Sequence, residues 1–324
     1  VKTSVSKLLV TGATGFVGRN LVLRAAECGI PVSAPVRNAE KLRRCLEEDG
    51  VPQASVSPFP PEPGDWGAPP SHAVLSAGVL FARSRAEYFS INLDWTLRVL
   101  RALPPECRVV LLSSQSAGGP SGCSARTEAD PDRPITWYGE SKLAMEHAVA
   151  REFPDRAITV LRPPMILGAR DSATLPLFQM ARGPVRTKPG LRKKFFSYLA
   201  VDDVVDAVFA AFDCGRRGPF YIAAERPVSD IELIASAARA VGGTGLTVRV
   251  PQPLVRLVAA AVDAVPSWRA ATPSLTRDRV KEIWPDRWVV DPSAFRTATG
   301  WSSRITLDEA LLAACLHYRA AGKL

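Results

Sequence analysis

Tyr138-Gly139-Glu140-Ser141-Lys142 sets a phenol and an ammonium four residues apart. On a helix that spacing turns both toward one face. A tyrosine ionises near pH ~10 when unperturbed, and a neighbouring lysine cation favours the phenolate. Tyr138 can then serve as acid or base near neutral pH. Ser114 follows the apolar run Arg108-Val109-Val110-Leu111-Leu112, and its hydroxyl is suited to hold a substrate oxygen while Tyr138 exchanges a proton with it. Ser113, Gln115 and Ser116 are alternatives in the same loop, and plain turn chemistry is the other reading of a lone Ser-Ser pair.

A second constellation lies near the start. Leu8-Leu9-Val10-Thr11 runs into Gly12-Ala13-Thr14-Gly15-Phe16-Val17-Gly18, and a helical pattern follows at once with Asn20, Leu21, Val22 and Leu23. Glycines spaced G-x-x-G-x-x-G between a strand and a helix suit a dinucleotide pyrophosphate resting on the first helical amides. Gly12 would allow the tight turn, Gly15 the approach of the phosphates, and Gly18 close contact of helix and strand. The alternative is a bare structural turn. A second strand, Pro31 to Val36, ends at Arg37 and Asn38, with Lys41 one helical turn on. A carboxylate at that strand end would hold the ribose 2′-hydroxyl of NAD, whereas a cation suits a 2′-phosphate. NADP(H) is therefore expected over NAD(H), a solvent-facing arginine being the alternative. A positively charged nicotinamide would add to Lys142 in favouring the Tyr138 phenolate.

These residues need elements to position them. Further strands are expected at Ala73–Ser76, leading to Ala77-Gly78, at 108–112 and at Ala157–Leu161, with one poor strand near Ala54–Ser57. Helices are expected over about 84–103, with Ile91, Trp95, Val99 and Leu103 on one face, and about 137–152. Strands alternating with helices at this spacing specify an α/β fold, a Rossmann-type doubly wound parallel sheet. Past Arg162-Pro163-Pro164 the rhythm breaks. Phe195–Leu199 reads as a strand, Val201–Phe212 as a helix and Phe220–Ile222 as a return to the sheet. Helices dominate from Pro227, with short strands near 246–250 and 287–290. The expected division is a dinucleotide-binding domain over 1–166, to which 200–224 returns, and a smaller, mostly helical substrate lobe from 167–199 and 225–324.

The chain has 324 residues, 47% of them hydrophobic, and a net charge of +9. Arg182, Arg186, Lys188, Arg192, Lys193 and Lys194 crowd into one segment. A solvated loop and strand edge is the plain reading, and a site for a substrate or cofactor phosphate the alternative. No reader motif accompanies the charge, which argues against nucleic acid. No integral membrane segment is expected, since charge breaks the longest apolar stretches. The start carries no signal-peptide pattern, and the six cysteines (28, 45, 107, 123, 214, 315) show no paired spacing, so a reducing cytoplasm is expected. Histidines 72, 147 and 317 lie far apart, and no metal site is expected.

In combination these motifs resemble the extended short-chain dehydrogenase/reductases, the NAD(P)-dependent epimerase/dehydratase group. The resemblance rests on residues 11–18, Ser76-Ala77-Gly78, Asn92, Ser113-Ser114, Tyr138 to Lys142, Arg162-Pro163-Pro164 and Val201-Asp202-Asp203-Val204, and more loosely on Leu275-Thr276-Arg277-Asp278 and Trp288-Val289-Val290-Asp291-Pro292. It implies a Ser-Tyr-Lys site at Ser114, Tyr138 and Lys142, Lys142 also gripping the nicotinamide ribose. It further implies that Pro163, Pro164 and Met165 run beside the nicotinamide and that Ala77 and Gly78 line the ribose-phosphate side. Pairing of two copies through the helices near 84–103 and 137–152 is implied as well. Nucleotide-sugar members usually close the serine loop with Tyr-Gly; here it is Gly118-Gly119-Pro120, as in the branch resembling 3β-hydroxysteroid dehydrogenases and dihydroflavonol reductases. The acidic residue common near the adenine is not evident, which leaves the adenine contacts unassigned. The leading expectation is an NADP(H)-dependent oxidoreductase interconverting a carbonyl and a secondary alcohol on a hydrophobic small molecule. Leu254 to Ala261 would supply a pocket wall or lid, or simply a core helix. A nucleotide-sugar epimerase or dehydratase, and a non-catalytic NADP(H)-binding sensor or assembly factor, are the alternatives.

Overall fold

The computed structural model describes residues 5–64, 66–214, 217–265 and 276–324; Leu275 falls outside them. Its central sheet is built from Leu8–Thr11 (β1), Val32–Pro35 (β2), Val56–Phe59 (β3), His72–Leu75 (β4), Arg108–Leu112 (β5), Ile158–Arg162 (β6) and Gly218–Tyr221 (β7). All seven run parallel, in the order β7-β6-β5-β4-β1-β2-β3. Both faces are covered, and the side chains alternate between them as the pleat requires. Leu8, Val10, Val74, Val110 and Leu112 face the helices Phe16–Glu27 and Val201–Phe212. Leu9, Ala73, Leu75, Val109 and Leu111 face Trp95–Ala102 and Trp137–Glu152.

Strand order reverses between β1 and β4, the place where open sheets of this kind leave a crevice beyond their carboxyl ends. Register sets Thr11 beside Leu75, so the turn after β1 meets the loop after β4. Gly12 turns there with φ +72°, and a Cβ on it would lie 3.0 Å from the Ala77 backbone. A Cβ on Gly18 would fall 2.1 Å from the Gly12 carbonyl oxygen. Both positions exclude any larger residue.

The helix expected near 84–103 is Arg85–Phe89 and Trp95–Ala102 joined by a π turn at Ser90–Asp94. The expected strand 195–199 is two strands. Phe195–Phe196 pairs with Val228–Ser229 and Arg287–Trp288, whereas Tyr198–Ala200 pairs with Met165–Leu167. Ser197 makes the switch, its amide donating to the Trp288 carbonyl and its hydroxyl accepting from the Val290 amide. A third core gathers Leu167, Phe178, Tyr198, Ala237, Leu311 and Tyr318. It joins the helices Leu175–Arg182, Asp230–Val241 and Leu307–Ala320.

Two expectations about surface character change. The basic segment is not simply solvated: Lys188 is buried in an ion pair with Asp230 at 2.7 Å, and Arg186 and Lys194 are buried as well. Nor is 254–261 a core helix. Ala259 is buried, but Leu254, Leu257 and Val258 of Gln252–Ala264 face outward.

Candidate active site

Three elements converge beyond the carboxyl ends of the strands. The short turn Gln115–Gly118 begins at Ser114, whose Oγ accepts from the Ser116 amide at 3.1 Å and fixes the hydroxyl after β5. The helix Trp137–Glu152 carries Tyr138 and Lys142, and Tyr138 hydrogen-bonds Ser114. Lys142 Nζ donates to the Leu112 carbonyl at 2.9 Å. A Cβ on Gly78 would lie 3.3 Å from that Nζ, so the loop after β4 closes on it too. Ser114, Tyr138, Lys142 and Gly78 thus come together.

The electrostatics differ from the expectation. Burial pushes the Tyr138 phenol up, opposed by the Ser114 hydrogen bond and the Arg279 charge. Lys142 is itself pushed down to about 8, because the ammonium is taken out of water with Glu146 only partly offsetting the loss. In the chain alone desolvation outweighs the Ser114 hydrogen bond and the Arg279 cation, and the phenol is held neutral.

Ser113 is committed elsewhere. Its hydroxyl donates to the buried Glu146 carboxylate, which also takes the Arg162 guanidinium at 2.6 Å. Arg162 reaches both Asp132 oxygens at 2.8 Å and the Tyr221 hydroxyl at 3.1 Å. Gln115 offers a different possibility, since its side-chain oxygen is buried without a hydrogen-bond partner. Ser116 supplies only its amide to Ser114.

Around β1 the residues fit a dinucleotide. The helix Phe16–Glu27 begins behind Gly15 with no side-chain cap and no acidic residue in its first turn. The amides of Phe16 and Val17, at the positive end of the helix, are therefore left for an anion. Thr14 and Gly15 flank this opening, and a Cβ on Gly15 would meet only the Gly12 carbonyl oxygen, at 3.1 Å. Arg37 stands exposed just past β2. Asn38 instead caps Ala39–Glu48, accepting from the Lys41 amide at 2.8 Å. Pro163 accepts from the Gln115 amide at 2.9 Å and stays beside the serine turn. Met165 starts the strand Met165–Leu167 and leans on the third core.

Sequence reasoning missed two contributors. Asn92, wholly buried in the π turn, accepts from the Val79 amide at 2.9 Å and donates to Ser141 at 3.0 Å. It was matched only as part of a motif, without a role. Arg279 comes from the turn Arg279–Ile283, and its guanidinium lies 5.3 Å from the Tyr138 ring and 5.4 Å from Phe81. Glu282 pairs with it at 2.9 Å, and its Nη1 is buried without a hydrogen-bond partner. The same turn caps the Tyr138 helix: Asp278 accepts from the Trp137 amide at 3.0 Å and Glu282 from the Thr136 hydroxyl at 2.9 Å. A cavity of about 300 Å³ opens here between Ala82, Tyr88, Trp137, Thr276, Arg279 and Lys281.

A sheet with its crevice at the reversal of strand order defines a doubly wound α/β protein, whose ligands bind at that crevice. The model of the NAD dependent epimerase/dehydratase family matches residues 71–223. Ceramide reductase of Caulobacter vibrioides is 30% identical, over 97% of this chain and 95% of that protein. UDP-glucose 4-epimerase of Thermotoga maritima with UDP-glucose has the same fold, at TM-score 0.75 and 20% identity over 97% of this chain and 99% of that one. So does RMD from Pseudomonas aeruginosa complexed with NADPH, at TM-score 0.71 and 20% identity over 98% and 99%. The chain belongs to the NAD-dependent epimerase/dehydratase family, within the extended short-chain dehydrogenase/reductases.

Proposed function

We propose that this protein reduces a carbonyl on a hydrophobic, lipid-like molecule, using NADPH in preference to NADH. The observation that carries the proposal is the meeting of Ser114, Tyr138 and Lys142 beside the open helix start at Gly15. The substrate class draws on the likeness to a ceramide reductase. Bound nicotinamide supplies the hydride. Ser114 holds the substrate oxygen, and Tyr138, kept neutral by its burial, donates the proton to it. Lys142 anchors the cofactor ribose, while Ala77, Gly78 and Pro163 line the crevice around it. Arg279 covers the outer side of the Tyr138 ring. Residues 1–166 and 200–224 serve the dinucleotide, and 167–199 with 225–324 serve the substrate. The protein works in the cytoplasm as a dimer through the helices near 84–103 and 137–152, which light scattering tests directly.

A second reading, nucleotide-sugar epimerisation, is favoured by the cations Arg277, Arg279 and Lys281 around the cavity. The deciding experiment follows NADPH absorbance with long-chain ketones and, separately, product formation from UDP-sugars. Net NADPH oxidation should appear with the ketones, and Tyr138→Phe should lower it by roughly 10²–10⁴-fold while NADPH still binds. Sugar conversion without net oxidation would establish the epimerase. Turnover unaffected by Tyr138→Phe would remove the tyrosine from the chemistry, and NADPH binding with no turnover of either class would leave a sensor.

A further inference from the structure

Eleven large hydrophobic side chains stand out as exposed among the described residues, and seven belong to two neighbouring segments: Val185, Leu191, Leu246, Val248, Leu254, Leu257 and Val258. Val185–Pro189 and Leu246–Val250 form a two-stranded parallel ribbon in which Val185 pairs with Leu246 and Thr187 with Val248. Paired residues in parallel strands share a face, so Val185, Leu246 and Val248 make one apolar surface. Leu246 is 77% exposed. Pro251 leads directly from the ribbon into the helix Gln252–Ala264. On that helix Ala259 and Val262 are buried, whereas Leu254, Leu257 and Val258 share an outer stripe at i, i+3 and i+4, Leu257 being 67% exposed.

The charge around this surface is mostly positive. Segments 182–194 and 244–264 hold eight lysines and arginines against one carboxylate, Asp263. Arg186, Lys188 and Lys194 are buried, which leaves Arg182, Arg192, Lys193, Arg249 and Arg256 exposed, Arg192 paired with Asp286 at 3.2 Å. Protruding aliphatic side chains flanked by cations match a bilayer with anionic headgroups: the apolar stripe enters the acyl boundary and the flanking cations meet phosphates. A second copy fits poorly, because two identical cationic rims would face one another.

We infer that the ribbon 185–191/246–250 and the helix Gln252–Ala264 form a docking surface for an anionic membrane. The surface connects to the active site through a short path. Arg256 lies over the Trp284 indole at 5.8 Å, and Trp284 closes the turn that sets Arg279 over Tyr138. A docked protein therefore holds its cavity roof next to the lipid. Docking itself does not depend on which carbonyl is reduced, and its test uses no turnover.

Flotation with phosphatidylcholine vesicles, with and without about 30% phosphatidylglycerol, tests the inference on the full chain. The protein should float with the anionic vesicles, and raised salt should weaken the association. Leu254→Ser with Leu257→Ser, and separately Lys193→Glu with Arg249→Glu, should each weaken it roughly tenfold or more. All four side chains are exposed, so an unchanged melting temperature will show that the fold is intact. Failure of the native chain to float, or flotation unaltered in both variants, overturns the inference. So does a native dimer that the leucine changes dissociate without any vesicle binding, which would make the patch an interface between copies.

Discussion

Lys142 holds an ammonium where water does not reach. Its partners are the Leu112 carbonyl and the nearby Glu146 carboxylate, and the balance brings it from 10.5 down to about 8. At ~1.4 kcal/mol for each pH unit, that displacement corresponds to about 3 kcal/mol of native-state destabilisation. The sign follows from the direction. Above pH ~10.5 the amine is neutral in both folded and unfolded chains and nothing is lost; between about 10.5 and 8 the unfolded chain binds the proton first; below 8 the full penalty applies. Lys142→Met should therefore make the protein more stable than the native chain at pH 7, by up to about 3 kcal/mol, with the gap closing toward pH ~10.5. Urea midpoints of the two proteins across this range measure it, and an equal gap at both ends would refute the buried-charge account. Ser114, Tyr138 and Lys142 were legible because helical spacing and a strand end determine them locally. Arg279 was not, because it reaches Tyr138 from 141 positions further along the chain, and only tertiary structure brings it there.

At the scale of elements, the parallel strands were readable from apolar runs, three of which (β1, β4 and β5) lead into glycine or serine. Their bounds match closely at 108–112, and the helix Val201–Phe212 matches at both ends. What stayed hidden was irregularity. Phe195 to Leu199 has the composition of one strand, yet Ser197 divides it between two sheets through partners near Trp288 and Val290. The π turn at Ser90–Asp94 leaves the apolar periodicity almost unaltered, although π turns often mark functional positions in helices. Its effect is visible in Asn92, which ties the loop after β4 at Val79 to the helix Trp137–Glu152 at Ser141. Asn92→Ala would leave the part-buried Val79 amide and the buried Ser141 hydroxyl without this partner and should destabilise the fold by about 1–3 kcal/mol. Urea unfolding gives that value, and hydrogen exchange should show faster opening around 78–80 than elsewhere. A change within experimental error, with unaltered exchange, would reduce the π turn to a packing irregularity.

Across the whole molecule, the sheet divides its labour along one edge. β1 and β2 end in a helix start without acids and an exposed Arg37, while β5 leads to Ser114, which meets Tyr138 and Lys142 of the helix Trp137–Glu152, the groups suited to proton transfer. On the proposed reading, cofactor choice and chemistry lie at different ends of the same crevice and can be altered separately. The net charge of +9 acts on any anionic ligand at long range, whereas on the proposed reading Arg37 distinguishes one phosphate. NADPH at about 100 times its dissociation constant should stabilise the native chain by about 2.7 kcal/mol and raise Tm by several degrees. NADH at equal concentration should do less, because no 2′-phosphate meets the guanidinium. Arg37→Ser should weaken NADPH by roughly 10–100-fold, as for loss of a charged hydrogen bond, and leave NADH nearly unchanged. Thermal shifts with both nucleotides and both proteins form a closed comparison. If native protein responds equally to the two, Arg37 faces solvent and the preference lies elsewhere. If Arg37→Ser instead lowers the response to both alike, the arginine supports the β2 turn and does not read the phosphate.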